Sequence, residues 1–373
     1  MKTSKREWTV SLLFCAVLLF VCSSSLLSSR SYSEREKREL AAAPIPDLRS
    51  VLSGRFADET EDYLSDHLPG RDLLVGTAAY GDLLAGRQNT KPILRGTSGR
   101  LYERPLRWNE GEASKNVEAI RAFADKTHLP TALMLVPSSG SILRDDLPAL
   151  REPYTDEEMI ARCYELAGPE IRCVDLWEPF SASRDRPGLY YATDHHWTSR
   201  GAHAAAETFF AGSGRSVRAA EDYAVTRVEG FYGSTYARSA LWLTDPESVE
   251  LWDCGLAFKV TNSESEEVHE GTFYPRNLNR EDKYTVFLDG NHALVRIENP
   301  DVNAQGSLLL IRDSFSNCLG AFLAEGYRSV VLADLRYYRL PLSELCASED
   351  FDEVLVAYSL GNFLSGSNLE WLD

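Results

Sequence analysis

Twice along this chain, short apolar runs alternate with helical patterns, and that alternation limits the fold more than any other feature. In the first block Ala113–Lys126 reads as a helix, Thr131–Val136 as an apolar strand, Thr155–Leu166 as a helix and Ile171–Leu176 as a strand, and the 199–212 segment is again helical. In the second block the strands Leu308–Ile311, Ser329–Ala333 and Glu353–Ala357 alternate with the helical segments Phe315–Ala324 and Leu342–Cys346. Strands that are apolar throughout and joined through helices belong to a parallel sheet covered on both faces. The middle, roughly 213–300, is richer in turns and alternating strands, and reads as an insertion into one α/β domain. Ahead of the first block, Ile45 to Leu84 is helix-like with a break at Leu68-Pro69-Gly70, and ILRGTSGRLY (Ile93–Tyr102) reads as a hairpin turning at Gly96 and Gly99.

The N-terminus is of a different kind. Lys2, Lys5 and Arg6 precede 22 uncharged residues, Trp8 to Ser29. A helix of that length crosses a hydrocarbon core of about 30 Å. Its most apolar part, Thr9–Cys22, is only fourteen residues, the length of a signal-peptide core, but no clean small-residue cleavage site follows and Leu26-Leu27 resume the apolar pattern. An uncleaved signal anchor is the preferred reading and a cleaved signal the alternative; in both, the leading basic residues keep the N-terminus inside and send the rest outside. The expected organisation is a cytoplasmic segment 1–8, an anchor or signal peptide 9–29, a stalk 30–44 and an extracellular domain 45–373. A secreted form results if the signal is cleaved.

Charge narrows the partners. Over 373 residues there are 39 Lys+Arg and 56 Asp+Glu, a net −17; residues 30–373 carry 36 basic and 55 acidic side chains, a net −19. Nucleic-acid binding rests on Lys and Arg neutralising phosphates, so this composition excludes it as a partner. A neutral or cationic glycan suits the acidic surface; an acidic polymer would need a local basic patch, with Arg312 and Arg336 as candidates. Five cysteines lie outside the anchor (Cys163, Cys173, Cys254, Cys318 and Cys346), an odd number with no C-x-x-C spacing, so no disulfide framework or zinc knuckle is indicated, although Cys163 and Cys173 could pair.

Three clusters could carry chemistry. YYATDHHWTSRG, Tyr190–Gly201, precedes a helix for which Thr198 is a good N-cap. In an extended chain residues two apart share a side, so Asp194 and His196 would face together and His195 away. A carboxylate beside an imidazole fixes its tautomer and stabilises the imidazolium, as a general base needs; His195 is the alternative base. In LLLIRDSFSNCLGAFL, Leu308–Leu323, a strand ends at Arg312 and a helix follows Ser314, which places the serine at the carboxyl edge of the sheet and at a helix N-terminus. The plainer reading is that Asp313 or Ser314 caps that helix. In TVFLDGNHALVRIEN, Thr285–Asn299, Gly290 permits close backbone approach and Asn291 offers an amide donor, while Asp-Gly-Asn between strand-like runs is also hairpin chemistry. No G-x-S-x-G elbow occurs, which disfavours an ordinary α/β-hydrolase.

At Asp194-His195-His196-Trp197 the chain resembles the DHHW family of exported bacterial proteins, which is similar in turn to the SGNH-hydrolase-like O-acetyltransferases of the alginate-acetylation type. The resemblance takes in LSGRFADETEDYLSDHLPGRD (Leu52–Asp72), LVPSSGSILRDDLP (Leu135–Pro148), the DHHW segment, FYGS (Phe231–Ser234), KYTVFLDGNH (Lys283–His292), RDSFSN (Arg312–Asn317) and ADLRYY (Ala333–Tyr338). It implies a three-layer α/β/α SGNH-like fold with a mostly parallel sheet and an inserted irregular β-rich segment, preceded by one transmembrane helix. It implies a triad in which Asp194 and His196 match the Asp-x-His pair and Ser314 the nucleophile. Gly290, Asn291 and His195 fall where oxyanion or substrate groups are expected, and Asp334 and Arg336 where the family has a motif that could face substrate. Arg312 stands where the usual pattern has glycine.

These observations lead to an exported serine-dependent O-acyltransferase (O-acetyltransferase) or esterase acting on a cell-surface polysaccharide. No cofactor and no metal is called for, and transfer would require a membrane-bound acyl donor protein as partner. Two other readings remain. One is a non-catalytic polysaccharide-binding or assembly protein, with Trp197, Tyr190, Tyr191, Tyr337 and Tyr338 stacking on sugar rings. The other is a metal hydrolase with Asp194, His195, His196 and His203 or His292 as ligands.

Overall fold

The computed structural model describes residues 5–88, 92–148, 152–366 and 368–372. Residues 1–4 of the expected cytoplasmic segment lie outside these. The chain divides into two compact units, Met1–Gln88 with Tyr236–Thr244, and Asn89–Thr235 with Asp245–Asp373.

In the first unit the N-terminal helix Lys5–Leu26 contains a span, Trp8–Leu26, long and apolar enough to cross a membrane, with a mean hydropathy of 2.2. The segment read as a stalk forms a two-residue ladder, Tyr32–Ser33 against Arg38–Glu39. Arg38 bonds both oxygens of Asp66, and Arg71 bonds Glu36 at 2.7 Å. Three helices follow, Leu48–Ser53, Arg55–Asp66 and Arg71–Leu84. Gly54 and Gly70 between them take φ of +82° and +73°, values an L side chain resists, so the glycines of SGR and PGR allow the chain to turn between helices.

The second unit is built on one eight-stranded sheet among the described residues. Its strands are β1 (Thr131–Val136), β2 (Arg172–Val174), β3 (Lys259–Asn262), β4 (Ser265–Glu270), β5 (Leu294–Glu298), β6 (Ser307–Arg312), β7 (Ser329–Ala333) and β8 (Glu353–Ser359), in the spatial order β4-β3-β5-β7-β6-β8-β1-β2. The pairs β7-β6, β6-β8, β8-β1 and β1-β2 are parallel, and the remaining pairs antiparallel. The helices that matter here are α1 (Glu110–Thr127), α2 (Asp156–Ala167), α3 (Ser199–Phe210), α4 (Ser316–Gly326), α5 (Leu342–Ser348) and α6 (Leu360–Ser365).

Alternate strand residues enter opposite cores, as the two-residue period of a strand requires. Met134, Leu308, Leu310, Leu332 and Leu355 pack with Ala205, Phe209, Leu319 and Phe322 of α3 and α4. Leu133, Leu135, Leu309, Ile311, Val331 and Val356 pack with Val117, Ile120 and Phe123 of α1, Ile160 of α2 and Phe363 of α6. The architecture is therefore a three-layer α/β/α arrangement with a mostly parallel sheet. All six residues of β6 are buried, which explains its uniform apolar run ending in an arginine. The expected N-cap holds: Thr198 Oγ1 accepts from the Gly201 amide at 3.3 Å.

The inserted middle is less of an excursion than its sequence suggested. Ala224–Phe231 and Glu247–Asp253 form a separate antiparallel pair, but β3, β4 and β5 extend the main sheet at one edge. The run from Thr285 read as strand-like instead begins inside a 3-10 turn, Lys283–Val286; the DG turn after it is real, yet joins no paired strands on both sides.

Leu310 faces Leu332 and Leu355 across the centre of the sheet and is fully buried. Leu310→Ala is expected to cost about 2–5 kcal/mol, seen as a lowered urea midpoint. Val302→Ala, at a position 95% exposed, should change stability by no more than about 0.5 kcal/mol in the same measurement.

Candidate active site

Ser314 lies in the turn between β6 and α4. Asp313, fully enclosed beside it, does the local structural work: Oδ1 accepts from the Phe315 amide at 3.0 Å, and Oδ2 accepts from the Ser359 amide, the Ser359 hydroxyl and Asn362 Nδ2, each at 2.8 Å. Three of these four donors tie the turn to the end of β8 and the start of α6. No side chain caps α4; Asp313 braces the turn that precedes it, and the Ser314 hydroxyl has another partner. That partner is His196, with Oγ 2.8 Å from Nε2.

The segment carrying His196 is a bent loop closed by a bridge between Tyr190 and Trp197, and not the extended chain from which the pairing was argued. Asp194 and His196 meet for a different reason. Asp194 Oδ1 accepts from the His196 amide at 2.9 Å and lies 2.6 Å from His196 Nδ1, an Asx-type turn that locks backbone and ring together. His195 does not point away: its Nδ1 is 3.3 Å from Asp194 Oδ1 and 2.5 Å from Ser234 Oγ, and its ring lies 3.8 Å from that of His196.

Several residues without a role in the sequence reading hold this loop. Glu247 accepts from the Ala192 and Thr193 amides and the Thr193 hydroxyl, at 2.7, 2.6 and 2.5 Å. The FYGS segment supplies the Ser234 amide to Asp194 Oδ2 at 2.7 Å and the Gly233 amide to Thr193 Oγ1 at 3.1 Å. A Cβ on Gly233 would sit 2.5 Å from Asp194 Cα, so only glycine admits this approach. Tyr284 stacks on His196, with ring centres 3.9 Å apart and planes 6° from parallel. The FYGS and KYTV motifs were the only signals that could have pointed to Gly233 and Tyr284; nothing in the sequence marks Glu247.

Burial alone would raise the Asp194 carboxyl, but the adjoining His196 and His195, with the hydrogen bonds from His196, outweigh it and hold the group well below the usual carboxylate range. His195 moves down from its ordinary value, chiefly through burial and the neighbouring His196, against the opposing pull of Asp194. Burial also raises the Glu247 carboxyl, against the three donors it holds.

Next to the serine turn lies a polar network. Arg312 is fully buried, and its Nη1 donates to Asn291 Oδ1 at 3.0 Å and to Asn317 Oδ1 at 2.6 Å; Asn317 Nδ2 also donates to Asn291 Oδ1 at 3.0 Å. Two donors on its oxygen orient the Asn291 amide and leave Nδ2 without a partner among the described residues. Gly290, at φ +90°, follows Leu288 and Asp289 at +54° and +62°, so Asn291 leaves a run of three left-handed residues. Asp289 is pinned by Asn277 Nδ2 and Arg276 Nη2, each at 2.7 Å.

Other expected groups fall elsewhere. Asp334 is fully buried, 3.7 Å from Arg312, and binds Arg336 through Oδ1 and Oδ2 at 2.9 and 2.6 Å; it faces arginines and not solvent. Arg312, being buried, offers no basic surface patch. Trp197, Tyr190 and Tyr191 are core residues, Trp197 donating to the Phe315 carbonyl at 3.0 Å, so none of the three can stack on a sugar, whereas Tyr337 is exposed. Of the metal set, the ligating atoms of Asp194, His195 and His196 lie within 4.8 Å of one another. His203 Nε2 instead meets the Arg218 carbonyl, and His292 lies by Glu264 and Asp289. The 2.6 Å contact of His196 with Asp194 is a hydrogen bond, shorter than the separation of about 3 Å or more between two ligands of one zinc at bond lengths of about 2.0–2.2 Å.

Residues 159–333 match the family model described as DHHW protein. The DHHW resemblance is confirmed over that segment. Among solved structures, a DHHW family protein from Eubacterium siraeum aligns over 74% of this chain and 92% of its own, at 21% identity and a TM-score of 0.61. Bacillus cereus PatB1, solved with a sulfonyl adduct, aligns over 77% of this chain and 100% of its own, at 20% identity and a TM-score of 0.64. The O-acetyltransferase domain of Pseudomonas putida AlgJ aligns over 75% of this chain and 95% of its own, at 16% identity and a TM-score of 0.48. At the identities of the first two the likeness is one of fold. No curated protein sequence is significantly similar to the chain.

The depressed Asp194 carboxyl makes stability depend on acid. A carboxyl whose folded pKa lies below its unfolded value of about 3.9 stabilises the fold above that pH, and the contribution is lost as pH falls toward the folded value. Between pH 7 and pH 3, the unsubstituted protein should therefore lose more of its urea midpoint than Asp194→Asn does.

Proposed function

We propose that this protein is an exported, membrane-anchored serine acyltransferase or esterase that handles O-acetyl groups of a cell-surface polysaccharide. The observation that carries the proposal is the unbroken hydrogen-bond line from Ser314 Oγ through His196 to Asp194, at 2.8 and 2.6 Å. In the proposed reaction, His196 Nε2 takes the hydroxyl proton as Ser314 Oγ bonds to the acyl carbon, and the imidazolium formed is stabilised by Asp194. The Ser314 amide, at the sheet edge, and the free Asn291 Nδ2 are the donors for the oxyanion. His196 then protonates the leaving group. A hydroxyl of the acceptor, or water, gives its proton to His196 while attacking the acyl-enzyme; a sugar hydroxyl makes the protein a transferase and water makes it an esterase.

Two further parts complete the reading. The Trp8–Leu26 helix is the anchor, with residues 1–8 inside and 45–373 outside. A membrane-bound acyl donor protein supplies the acetyl group. The DHHW resemblance and the fold shared with PatB1 support this reading. The metal reading loses support from the position of His203 and His292.

A phenyl-substituted sulfonyl fluoride should sulfonylate Ser314 and no other serine, as read by peptide mass spectrometry. With an activated acetyl ester, Ser314→Ala and His196→Ala should each lower kcat by about 10⁴ or more. Full turnover by Ser314→Ala would refute the triad.

Asn291→Ala is expected to lower kcat by about 10²–10³ with little change in KM, because an oxyanion donor acts on the transition state. Steady-state kinetics on the same ester give both parameters.

A further inference from the structure

Beside the Ser314–His196 pair the site holds a second serine–histidine contact, between Ser234 and His195. His195 Nδ1 is 2.5 Å from Ser234 Oγ and 3.3 Å from Asp194 Oδ1. A carboxylate can only accept, so Nδ1 beside it carries the proton and donates to Ser234 Oγ. The other ring nitrogen, Nε2, is then an unprotonated acceptor. Among the described residues no group bonds to it, and the His195 side chain keeps 29% of its surface exposed against 8% for His196.

The surroundings keep His195 in this state. Burial and the adjacent His196 lower its pKa, which favours the neutral ring. Its plane is set by the Ser234 bond and by packing on His196 and Phe315, with ring centres 3.8 and 5.7 Å away. Ser234 in turn is fixed through its amide, bonded to Asp194 Oδ2. One buried carboxylate thus meets two adjacent imidazoles, one bonded to Ser314 and the other with a ring nitrogen left as an acceptor.

We propose that His195 binds the acceptor, its Nε2 accepting a hydrogen bond from the hydroxyl next to the one that reacts, so that the site selects vicinal diols such as sugar rings. This rests on the serine reading above and adds the acceptor to it. The reacting hydroxyl loses its proton to His196 Nε2 as its oxygen bonds to the acyl carbon. The intermediate collapses, the acyl carbon–Ser314 Oγ bond breaks, and Oγ takes that proton back from His196. The neighbouring hydroxyl keeps its own proton throughout. Two imidazoles 3.8 Å apart suit two oxygens on adjacent ring carbons, which an isolated alcohol does not offer.

The test uses the full chain in detergent, p-nitrophenyl acetate as donor, and either trans-1,2-cyclohexanediol or cyclohexanol as acceptor. Acylation is read as the p-nitrophenolate burst, and transfer as acetylated acceptor against free acetate. The unsubstituted chain is expected to show a burst and to favour the diol about tenfold, the worth of one good hydrogen bond. Scaled to each variant's own burst, His195→Ala should lose the diol preference to within about twofold and release more acetate; His195→Gln, whose amide oxygen can accept, should keep part of the preference. A diol preference unchanged in His195→Ala overturns the proposal while leaving the serine reading intact. Loss of the burst in both His195→Ala and His195→Gln also overturns it, since the residue would then serve acylation or the fold. No burst in the unsubstituted chain brings down the serine reading and this proposal with it.

Discussion

A carboxylate placed in a protein interior must be met by donors on every side, and Asp194 shows how far that requirement reaches. Its two oxygens draw in the His196 amide and ring, the Ser234 amide and the edge of His195. Those partners come from two segments about forty residues apart, and they can converge only because Gly233 has no side chain. With the carboxylate satisfied, the imidazole of His196 is left with one tautomer and one direction. Tyr284 covers its face, and Nε2 ends at Ser314. The arrangement at Ser314 depends on a second buried carboxylate in the same way. Asp313 collects four donors and so fixes the turn that carries the serine.

The fold supplies the frame on which these two anchors are aligned. β6 lies inside the parallel part of the sheet, between β7 and β8, and is buried on both faces, so the turn that follows it is held on a rigid edge. β8 ends beside it and contributes Ser359. Arg312, the last residue of β6, carries a charge into a place that usually tolerates none. It is met by two asparagine oxygens and by Asp334 at 3.7 Å, and one of those asparagines is Asn291. A desolvated cation behind an amide oxygen strengthens the opposite N–H as a donor. The side chain that seemed out of place in the strand is therefore part of the site's electrostatics.

The layer architecture was legible because it follows from local periodicity. Apolar strands such as 131–136 and 308–311 and the helices after them could hardly form anything else, and the bounds of α1, α2 and α4 differ from expectation by a few residues at most. That Asp194, His196 and Ser314 come together was legible because each sits in a dense motif. Their geometry was less so. The two DHHW residues meet through an Asx turn, where an extended strand had been supposed, and His195 lies beside them when alternation would have turned it away. Gly233, Glu247 and Tyr284 stand 40 to 88 residues from the loop residues they touch, and no local pattern records such a partner. The burial of Trp197, Tyr190 and Tyr191 escaped for a related reason. An aromatic beside a polar motif looks the same in sequence whether it lines a surface or fills a core.

The partners of the 190–197 loop have a consequence for the order in which the chain matures. Glu247, Ser234, Tyr284 and Ser314 all lie C-terminal to the loop, the last of them 118 residues beyond His196. Contacts of such long sequence separation form late, after the entropy of closing large loops has been met. In a chain made from its N-terminus onward, the histidines of the loop are present long before the serine that pairs with His196. The Asp194–His196–Ser314 arrangement therefore cannot assemble until at least residue 314 has been made, and a chain cut short before it holds the loop without its partner.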